Sequence, residues 1–284
     1  MRVGVRLRPV AYGVMVAIPV LVAVLGPLLA GQAPQTSQSP FGPSTWSPFG
    51  TDRLGRDVLA AALLGGQSLV LVTGATVLAG YLVGGLLGLL AAASNRAWLE
   101  DVIMRPLDVL LCLPALLLVM VAALRTDGST VLVAVAVGGT LVAPIARFVR
   151  MAARGVVRGP VMEALRMQGA GPVRRYGGYA LIEIARPVAA DVGVRFAAAT
   201  YVLASANFLG LGFDTTSTDW AVAVAANKDG LSAAPWSVYL PAGLIVLLVL
   251  GVNLLSDELL ADPRRLAIRE ALRAVDDPVR SVIR

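Results

Sequence analysis

The amino-acid sequence predicts an all-α protein that crosses a membrane with six helices. Of its 284 residues, 57% are hydrophobic and only 15% are charged, whereas soluble domains carry about 25% charged residues. Six apolar segments are each long enough to cross a hydrocarbon core of about 30 Å as a helix. The sequence lacks the series of roughly ten-residue segments with alternating apolar and polar side chains that marks a transmembrane barrel.

The six predicted spans alternate with loops of very different charge. They cover residues 10–30, 69–93, 103–124, 130–149, 186–208 and 239–255. If the N-terminus is cytosolic, nearly all of the 24 Lys and Arg residues fall on the cytosolic side, and the opposite loops hold only Arg53, Arg56, Arg125 and Lys228. Cytosolic loops carry such an excess, so we predict that both termini are cytosolic. The net charge of +6 follows from this pattern, and the lipid bilayer, not nucleic acid, is the expected partner.

The first apolar segment has one feature of a secretory signal peptide. Gly31-Gln32-Ala33 places small residues at the spacing of a cleavage site, but the apolar run before it exceeds the usual length of about 7–15 residues. We therefore interpret the segment as a retained span. Residues 1–68 then form a transmembrane helix and an extracytoplasmic loop, residues 69–256 form the transmembrane core, and residues 257–284 form a cytosolic tail.

The first outer loop ends in the charged segment FGTDRLGRDVL, residues 49–59. Its two acids and two bases, Asp52, Arg53, Arg56 and Asp57, have the spacing of neighbours on a helix. They can therefore pair with one another, and the alternative is only a neutralised helix start at the membrane surface.

Several kinds of chemistry are missing from the sequence. There is no His, and the single cysteine, Cys112, lies inside a predicted span, where we expect a small buried side chain. A Cys/His metal site and a His-based catalytic triad therefore cannot form within the chain. The only lysine, Lys228, does not follow the glycine-rich loop of a phosphate-binding motif. We expect no enzymatic activity and no cofactor, and ATP and magnesium would have to bind to other chains.

A short polar helix is predicted in the long basic loop before the fifth span. Pro160 is suited to open a helix, and the cluster of Gly169, Gly171 and Pro172 must end it. The segment is too polar to enter lipid and lies on the predicted cytosolic side. A short helix displayed there is suited to contact a soluble partner, so we expect the subunit to be driven from outside.

Two groups of charged residues lie within or near the spans. Asp101, Arg105 and Asp108 follow one another at intervals of four and three on one helix face, and we predict that Asp108 holds Arg105 as an ion pair. Asp191 and Arg195 repeat the arrangement in the fifth span. Acids at membrane depth are costly unless paired, so we interpret these residues as structural or gating pairs, with a substrate site as the alternative.

The last outer loop, residues 213–238, follows the segment FLGLG, which contains Phe208, Gly210 and Gly212. The two glycines permit a bend at the membrane exit. Trp220 and Trp236 are suited to the membrane interface or to a contact surface. We predict that the loop helps to receive substrate, and a passive anchor at the membrane surface is the alternative.

Five segments in order resemble one family. They are FGTDRLGRDVL, the run DVIMRPLDVLLCLP at Asp101–Pro114, FLGLG, the pair APW and LPAG, and NLLSDELLADPR. With them the chain resembles the inner-membrane permease subunits of ATP-binding-cassette (ABC) importers for peptides and nickel. Within that family it is similar to the second, C-type permease of dipeptide and oligopeptide systems.

The cytosolic signature of that family is EAA, three residues, Gly, nine residues and then Ile-x-Leu-Pro. Glu163, Ala164 and Gly169 match its first half, with Leu165 in place of the second Ala. In the second half Leu181 matches, but Ile182 replaces the Pro and Glu183 replaces the Asn that commonly follows. The resemblance implies that Glu163, Ala164, Arg166 and Gly169 couple the chain to an ATPase, while the return to the membrane is altered.

The resemblance also implies a fold and a set of partners. The fold would be that of a type I ABC importer permease in a bacterial cytoplasmic membrane. The partners would be a sister permease, two ATPase subunits or domains, and an extracytoplasmic substrate-binding protein or lipoprotein. The substrates would be dipeptides or oligopeptides. Import of nickel, opines or haem-peptides by the same architecture is the alternative, and a stand-alone secondary transporter is a further one.

Overall fold

The regular secondary structure of the described part of the chain is helical. The structure, a computed structural model, describes residues 3–30, 39–94, 96–125, 129–211 and 216–260. Within these ranges the only β pairing is an isolated bridge between Thr51 and Asp57. The helices are α1 Val3–Ala30, α2 Val58–Ala93, α3 Ala97–Cys112, α4 Ala115–Arg125, α5 Thr130–Val157, α6 Pro160–Met167, α7 Leu181–Phe208, α8 Trp220–Asn227 and α9 Trp236–Leu260. A π-helical segment, Val173–Ala180, leads into α7, and a 3-10 turn, Lys228–Gly230, follows α8. The all-α prediction is confirmed.

Among the residues that the structure describes, five helical segments are long and apolar enough to cross a membrane: Val10–Ala30, Val58–Ala93, Thr130–Val157, Val173–Phe208 and Trp236–Glu258. A sixth is present if α3 and α4 count as one span, and these two helices meet at 87°. The span predicted over residues 103–124 therefore consists of two helices joined at a sharp bend. Pro114 explains the break, because proline forces its predecessor out of the helical region, and Leu113 is extended at φ −90° and ψ 132°.

α2 and α5 form the centre of the core. Gly84 and Gly88 of α2 face α5 at a spacing of four. A Cβ atom at Gly84 would lie 2.6 Å from the carbonyl oxygen of Val142, and one at Gly88 would lie 2.4 Å from that of Ala146. Small residues at this spacing let two membrane helices approach until their backbones touch. α7 packs against this pair and against α9, while α1 packs against α2 and α9.

Several helices are longer than the predicted spans. α2 begins at Val58, because the side chain of Asp57 caps it by accepting a hydrogen bond from the Ala60 amide. α5 continues to Val157, so its 28 residues extend about 42 Å. That length exceeds a hydrocarbon core of about 30 Å. The C-terminal end of α5 and the π-helical segment before α7 therefore flank α6 beyond the length that a hydrocarbon core covers.

Candidate functional site

The short helix α6 begins as the sequence predicts. Gly159 is extended at φ −78° and ψ 164°, and Pro160 occupies the first helical position. Proline is favoured there because its missing amide hydrogen would have no partner inside the helix. Glu163 follows in the first turn, where a carboxylate interacts favourably with the helix dipole. The predicted short helix is confirmed, and its role in coupling stays a prediction.

The C-terminal end of α6 is fixed by Gly169. This residue has φ +72°, a conformation that strains any residue with a side chain. Its amide donates to the carbonyl of Arg166, and the next amide, of Ala170, donates to the carbonyl of Leu165, each at 3.0 Å. These two bonds form the Schellman motif, which ends a helix abruptly and turns the chain away.

Met162 attaches α6 to the rest of the protein, a role that the sequence did not reveal. Its side chain is completely buried and belongs to the main hydrophobic cluster. Glu163, Ala164 and Met167 are exposed. The guanidinium of Arg166 donates to the Val157 carbonyl at 3.4 Å. Most of the surface of α6 is therefore exposed, and Met162 is its one buried residue.

The altered second half of the family signature forms continuous helix. The π-helical segment Val173–Ala180 passes directly into α7, and Leu181 donates its amide hydrogen to the Tyr176 carbonyl. Ile182, which replaces the proline, and Glu183 are both exposed on α7. With isoleucine at position 182 the helix continues there, and although α7 contains Pro187 further on, one continuous segment runs from Val173 to Phe208.

Glu100 ties α3 to the C-terminal half of α5. Its carboxylate pairs with Arg150 and also with Arg154, the second at 3.3 Å. The two arginines are four residues apart and so share one face of α5. Glu100 and Arg150 are mostly buried, with side-chain exposures of 14% and 26%. Glu100 is not among the pairs that the sequence predicts, although an acid at the start of α3 and two arginines at i, i+4 on α5 are a usable signal.

The charged residues at the predicted third span are paired differently from the prediction. Arg105 pairs with Asp101 at 2.8 Å, and both side chains are largely exposed. Asp108 pairs with Arg147 of α5 at 2.7 Å instead of with Arg105. The pairing differs because α5 brings the guanidinium of Arg147 closer to Asp108 than that of Arg105. Cys112 is exposed at the end of α3, so the expectation of a buried thiol is also wrong.

Asp191 and Arg195 form a two-point ion pair within α7. The guanidinium donates two hydrogen bonds to the carboxylate, at 2.9 and 3.0 Å. The hydroxyl of Tyr81 on α2 donates a third bond to Asp191 at 2.7 Å. Asp191 is thus satisfied on all sides although it is buried. The predicted pair is present, and Tyr81 links it to α2.

Trp220 lies in the core and not at a surface. Its side chain is fully buried, and its indole N–H donates to the Ala62 carbonyl of α2 at 2.7 Å. The prediction that Trp220 anchors the loop at the interface or contacts a partner is therefore wrong. Asp219, directly before Trp220, caps the first turn of α8 by accepting hydrogen bonds from backbone amides. Trp236 is exposed and lies edge-on to Phe49 at 5.5 Å.

Asp219 is a buried carboxylate whose hydrogen-bond donors are neutral. It accepts bonds from Ser68 of α2 at 2.8 Å and from the side chain of Asn207 at 3.3 Å. The amides of Ala221 and Val222 complete the cap. Burial raises the pKa of Asp219 above its ordinary value, although these hydrogen bonds act in the opposite direction.

The two loops that the sequence predicts to face outward interlock. The backbone amide of Arg53 donates to the side-chain oxygen of Asn227 at 2.9 Å, and the guanidinium of Arg56 donates to the Thr216 carbonyl at 2.8 Å. Asp52 pairs with Arg56 at 2.7 Å. Asp57 instead accepts hydrogen bonds from Ser44 and Ser47. The predicted pairing is therefore confirmed for Asp52 and Arg56 and wrong for Asp57, and these charges lie in a turn before α2 and not on a helix.

The remaining predicted residues flank the exit of α7. The ammonium group of Lys228 lies 5.6 Å from the centre of the Phe208 ring. Gly210 has φ +74°, and its amide donates to the Asn207 carbonyl at 3.0 Å, so the predicted bend is present. Gly212 lies outside the described residues. In the described part of the chain no three His, Cys, Asp or Glu residues are grouped to hold a metal ion.

The fold and these contacts define a class: a multi-span membrane protein with a short exposed helix held at the base of two long helices. Residues 84–261 match the family described as "Binding-protein-dependent transport system inner membrane component". The chain belongs to this family, the permeases of ABC importers. The predicted family and permease fold are thereby confirmed.

Several permeases of known peptide transport systems or probable ones are similar to the chain. The di/tripeptide transport system permease protein of Pseudomonas aeruginosa is 32% identical over 212 residues, which cover 74% of this chain and 69% of that protein. The dipeptide transport system permease protein of Alkalihalophilus pseudofirmus is 29% identical over 245 residues, or 84% and 80% of the two chains. The probable D,D-dipeptide transport system permease protein of Escherichia coli is 27% identical over 261 residues, or 90% and 87%.

Proposed function

We propose that this chain is the C-type permease subunit of a peptide importer and forms the translocation pathway together with a sister permease. Membership of the permease family supports the transport role. The similar proteins of Pseudomonas aeruginosa and Alkalihalophilus pseudofirmus are named for di/tripeptides and dipeptides, which supports peptides as the substrate. Nickel, opine or haem-peptide import and a stand-alone secondary transporter are not favoured by these relatives.

The observation that carries the proposal is the exposed helix α6. It has eight residues, is stopped sharply at Gly169 and is held by buried Met162. A helix that transmits force must be short, stiff and accessible. We infer that Glu163, Ala164, Arg166 and Gly169 seat α6 in a cleft of an ATPase subunit. The two ATPase subunits or domains would bind ATP and magnesium, and this chain would perform no catalysis.

The contacts of α3, α5 and α7 could pass a displacement of α6, caused by the ATPase subunits, to the membrane-spanning helices. Glu100 connects α3 to Arg150 of α5, one helix before α6. The continuous segment Val173–Phe208 begins close behind α6 and carries the Asp191–Arg195 pair. ATP-driven closure of the ATPases would push α6 and shift α7 as a rigid body. The bond from Tyr81 to Asp191 would make this pair part of the gate between the inward-facing and outward-facing states.

The orientation proposed is the one that the charge pattern favours. The basic end of α5 and helix α6 face the cytosol, both termini are cytosolic, and the membrane is the bacterial cytoplasmic membrane. The interlocked loops around Asn227 and Trp236 then face outward. There an extracytoplasmic binding protein or lipoprotein would deliver the peptide, with exposed Trp236 a better contact residue than buried Trp220.

Reconstitution tests the proposal directly. The chain is purified with its sister permease and ATPases, placed in liposomes and supplied with the binding protein and a radiolabelled dipeptide. ATP-dependent uptake that needs every component is expected, and the chain alone should not hydrolyse ATP. ATP hydrolysis by the isolated chain, or dipeptide uptake driven by an ion gradient without ATP, would refute the proposal.

A further inference from the structure

The helical segment that follows α6 changes its hydrogen-bond pattern partway along. Val173–Ala180 is π-helical, whereas Leu181–Phe208 is α-helical. In a π-helix each amide donates to the carbonyl five residues earlier, as Leu181 does to Tyr176, and in an α-helix to the carbonyl four residues earlier. π-helices are rare and occur mostly as short stretches inside α-helices, frequently at functional sites. This one lies between α6 and α7.

Two adjacent glycines, Gly177 and Gly178, lie inside the π-helical segment. A Cβ atom at Gly178 would meet nothing beyond the local helix backbone within 4 Å, and one at Gly177 would meet only the Val173 side chain at 3.9 Å. Neither glycine has a positive φ. Glycine inside a helix lowers its stability relative to alanine, because its backbone is more flexible. Neither close packing nor a special backbone conformation requires the pair, and its remaining effect is to let the helix change its winding.

Arg175, two residues before the glycine pair, is incompletely bonded in the π-helical state. Its Nε–H group is buried and has no hydrogen-bond partner among the residues that the structure describes. Its guanidinium carbon lies 5.6 Å from the centre of the Tyr176 ring. A buried donor without a hydrogen-bond partner is unfavourable. A change of winding would carry this side chain around the helix axis and so change the surroundings of the unpaired donor.

The two ends of the π-helical segment are held differently. At the end toward α7, Ala180 and Ile184 are buried in the main hydrophobic cluster, and further along Asp191 accepts a hydrogen bond from Tyr81 of α2. At the end toward α6, Val173 is 85% exposed. A change of winding therefore moves the end that carries α6, while the end that leads into α7 stays in place.

Helix geometry gives the size of this movement. When the acceptor shifts from the fifth to the fourth preceding residue, the hydrogen-bond register moves by one residue. In an α-helix one residue corresponds to a rotation of about 100° and a rise of about 1.5 Å. A small displacement of α6 along the axis of α7 can therefore be accompanied by a large rotation about that axis.

From these observations we propose that Val173–Ala180 is a hinge, made flexible by Gly177 and Gly178, that switches between π-helical and α-helical winding when α6 is displaced. The switch turns α6 about the axis of α7 and leaves the winding of the helix beyond Leu181 unchanged, so that α7 moves as one rigid body. This inference rests on the proposed function, since the displacement of α6 comes from the ATPase subunits.

Distances between spin labels in the assembled transporter test the hinge. In a Cys112→Ala background, labels at Val173→Cys and Val194→Cys span the π-helical segment, whereas labels at Ile182→Cys and Val194→Cys both lie within α7. All three native residues are exposed. Binding of a non-hydrolysable ATP analogue is expected to change the first distance by several ångström, because position 173 moves around the helix axis as well as along it. The second distance should stay the same.

Two results would overturn the inference. An unchanged first distance would show that the segment keeps its winding, and a changed second distance would place the hinge at Pro187 of α7 instead. Either result, obtained with a transporter that takes up the dipeptide only with ATP, leaves the proposed function standing. Absence of ATP-dependent uptake in the complete assembly would overturn both.

A substitution experiment tests the two glycines. The double change Gly177→Ala and Gly178→Ala adds two Cβ atoms for which there is room, so the complex should assemble and unfold at a temperature no lower than that of the wild type. Because alanine is less flexible, uptake should fall several-fold and the first label distance should change less. The control is Gly155→Ala in α5, an exposed helical glycine with equal room, which should keep full uptake. Equal uptake by the double variant and the control would overturn the inference.

Discussion

The indole N–H of Trp220 donates a hydrogen bond of 2.7 Å to the carbonyl oxygen of Ala62. This bond joins α8, in the last loop between spans, to the first turns of α2. Trp220 is completely buried, whereas the second tryptophan of the loop, Trp236, is exposed. The two residues therefore have separate roles, which substitution can distinguish.

We expect Trp220→Ala to destabilise the protein and Trp236→Ala to leave its stability nearly unchanged. The first change leaves a large cavity and an unpaired Ala62 carbonyl, a loss of about 3–5 kcal/mol by analogy with other buried aromatic residues. Thermal unfolding of the purified complex measures the difference. If Trp236 receives the binding protein, its variant should keep basal ATPase activity and lose uptake. Equal unfolding temperatures for the two variants would contradict the burial of Trp220.

Substitutions in α6 should uncouple ATP hydrolysis from uptake while the subunit still inserts. Glu163→Arg reverses an exposed charge in the first turn, and Gly169→Leu forces a branched side chain into a left-handed conformation, at a cost of about 1–2 kcal/mol. Substrate-stimulated ATPase activity and peptide uptake are measured on the same liposomes. Gln168→Ala, an exposed change beside Gly169, serves as the control. Full stimulation and full uptake in Glu163→Arg would show that α6 is not the coupling element.

Glu100→Gln should lower the stability of the protein far more than Asp101→Asn does, because Glu100 connects α3 to α5. Glu100 balances Arg150 and Arg154 in a mostly buried site, and removal of one partner of a buried pair costs about 3–5 kcal/mol. We expect about half of that here because Arg154 is partly exposed and screened. Asp101 pairs with Arg105 at the surface, where a pair contributes about 0–1 kcal/mol. Thermal unfolding compares the two, and similar shifts would contradict the assignment.

The attachment of α8 should weaken as the pH rises. Burial raises the pKa of Asp219 above its ordinary value of 3.8, so the folded state binds this proton more tightly than the unfolded state does. Stability from this group is then greatest below the ordinary pKa and falls as the pH rises from there through the raised pKa. Unfolding temperatures measured across this range should decline, and Asp219→Asn, which keeps a capping oxygen, should flatten the decline. An unchanged slope in the variant would locate the pH effect elsewhere.

Cysteine labelling tests the sidedness. In a Cys112→Ala background, Ser232→Cys should react with an impermeant reagent in intact cells, and Met167→Cys should react only after membrane disruption. Both native residues are exposed, so burial cannot hide the introduced thiols. Asp219 and Asn227 would be poor positions because both are buried. The reverse labelling pattern would overturn the proposed orientation.

The sequence predicted those features that depend on local chemistry. Pro160 and Gly169 set the limits of α6 through backbone constraints, which are visible one residue at a time. The 3.6-residue helix period likewise predicted that Asp191 and Arg195 meet. These predictions needed no knowledge of the tertiary fold.

Contacts between distant segments were not predictable in the same way. Asp108 pairs with Arg147 because of how α3 crosses α5, and Trp220 is buried because α8 turns back onto α2. Neither the ion pair nor the burial of Trp220 produces a recognisable pattern in the neighbouring sequence. The break at Pro114 was visible as a residue, but hydropathy averaged over residues 103–124 concealed it.

The corner between α3 and α4 restricts where lipid can lie. Each helix end leaves peptide groups without partners in the helix, so the last carbonyls of α3 and the first amides of α4, beginning at Ala115, lie on either side of Leu113 and Pro114. Both residues are exposed on the chain. Hydrocarbon cannot hydrogen-bond to peptide groups, so fatty-acyl tails are excluded from this corner. Water or another polypeptide must therefore border the chain there, and a gap in the annulus of lipid around the subunit is expected at this point.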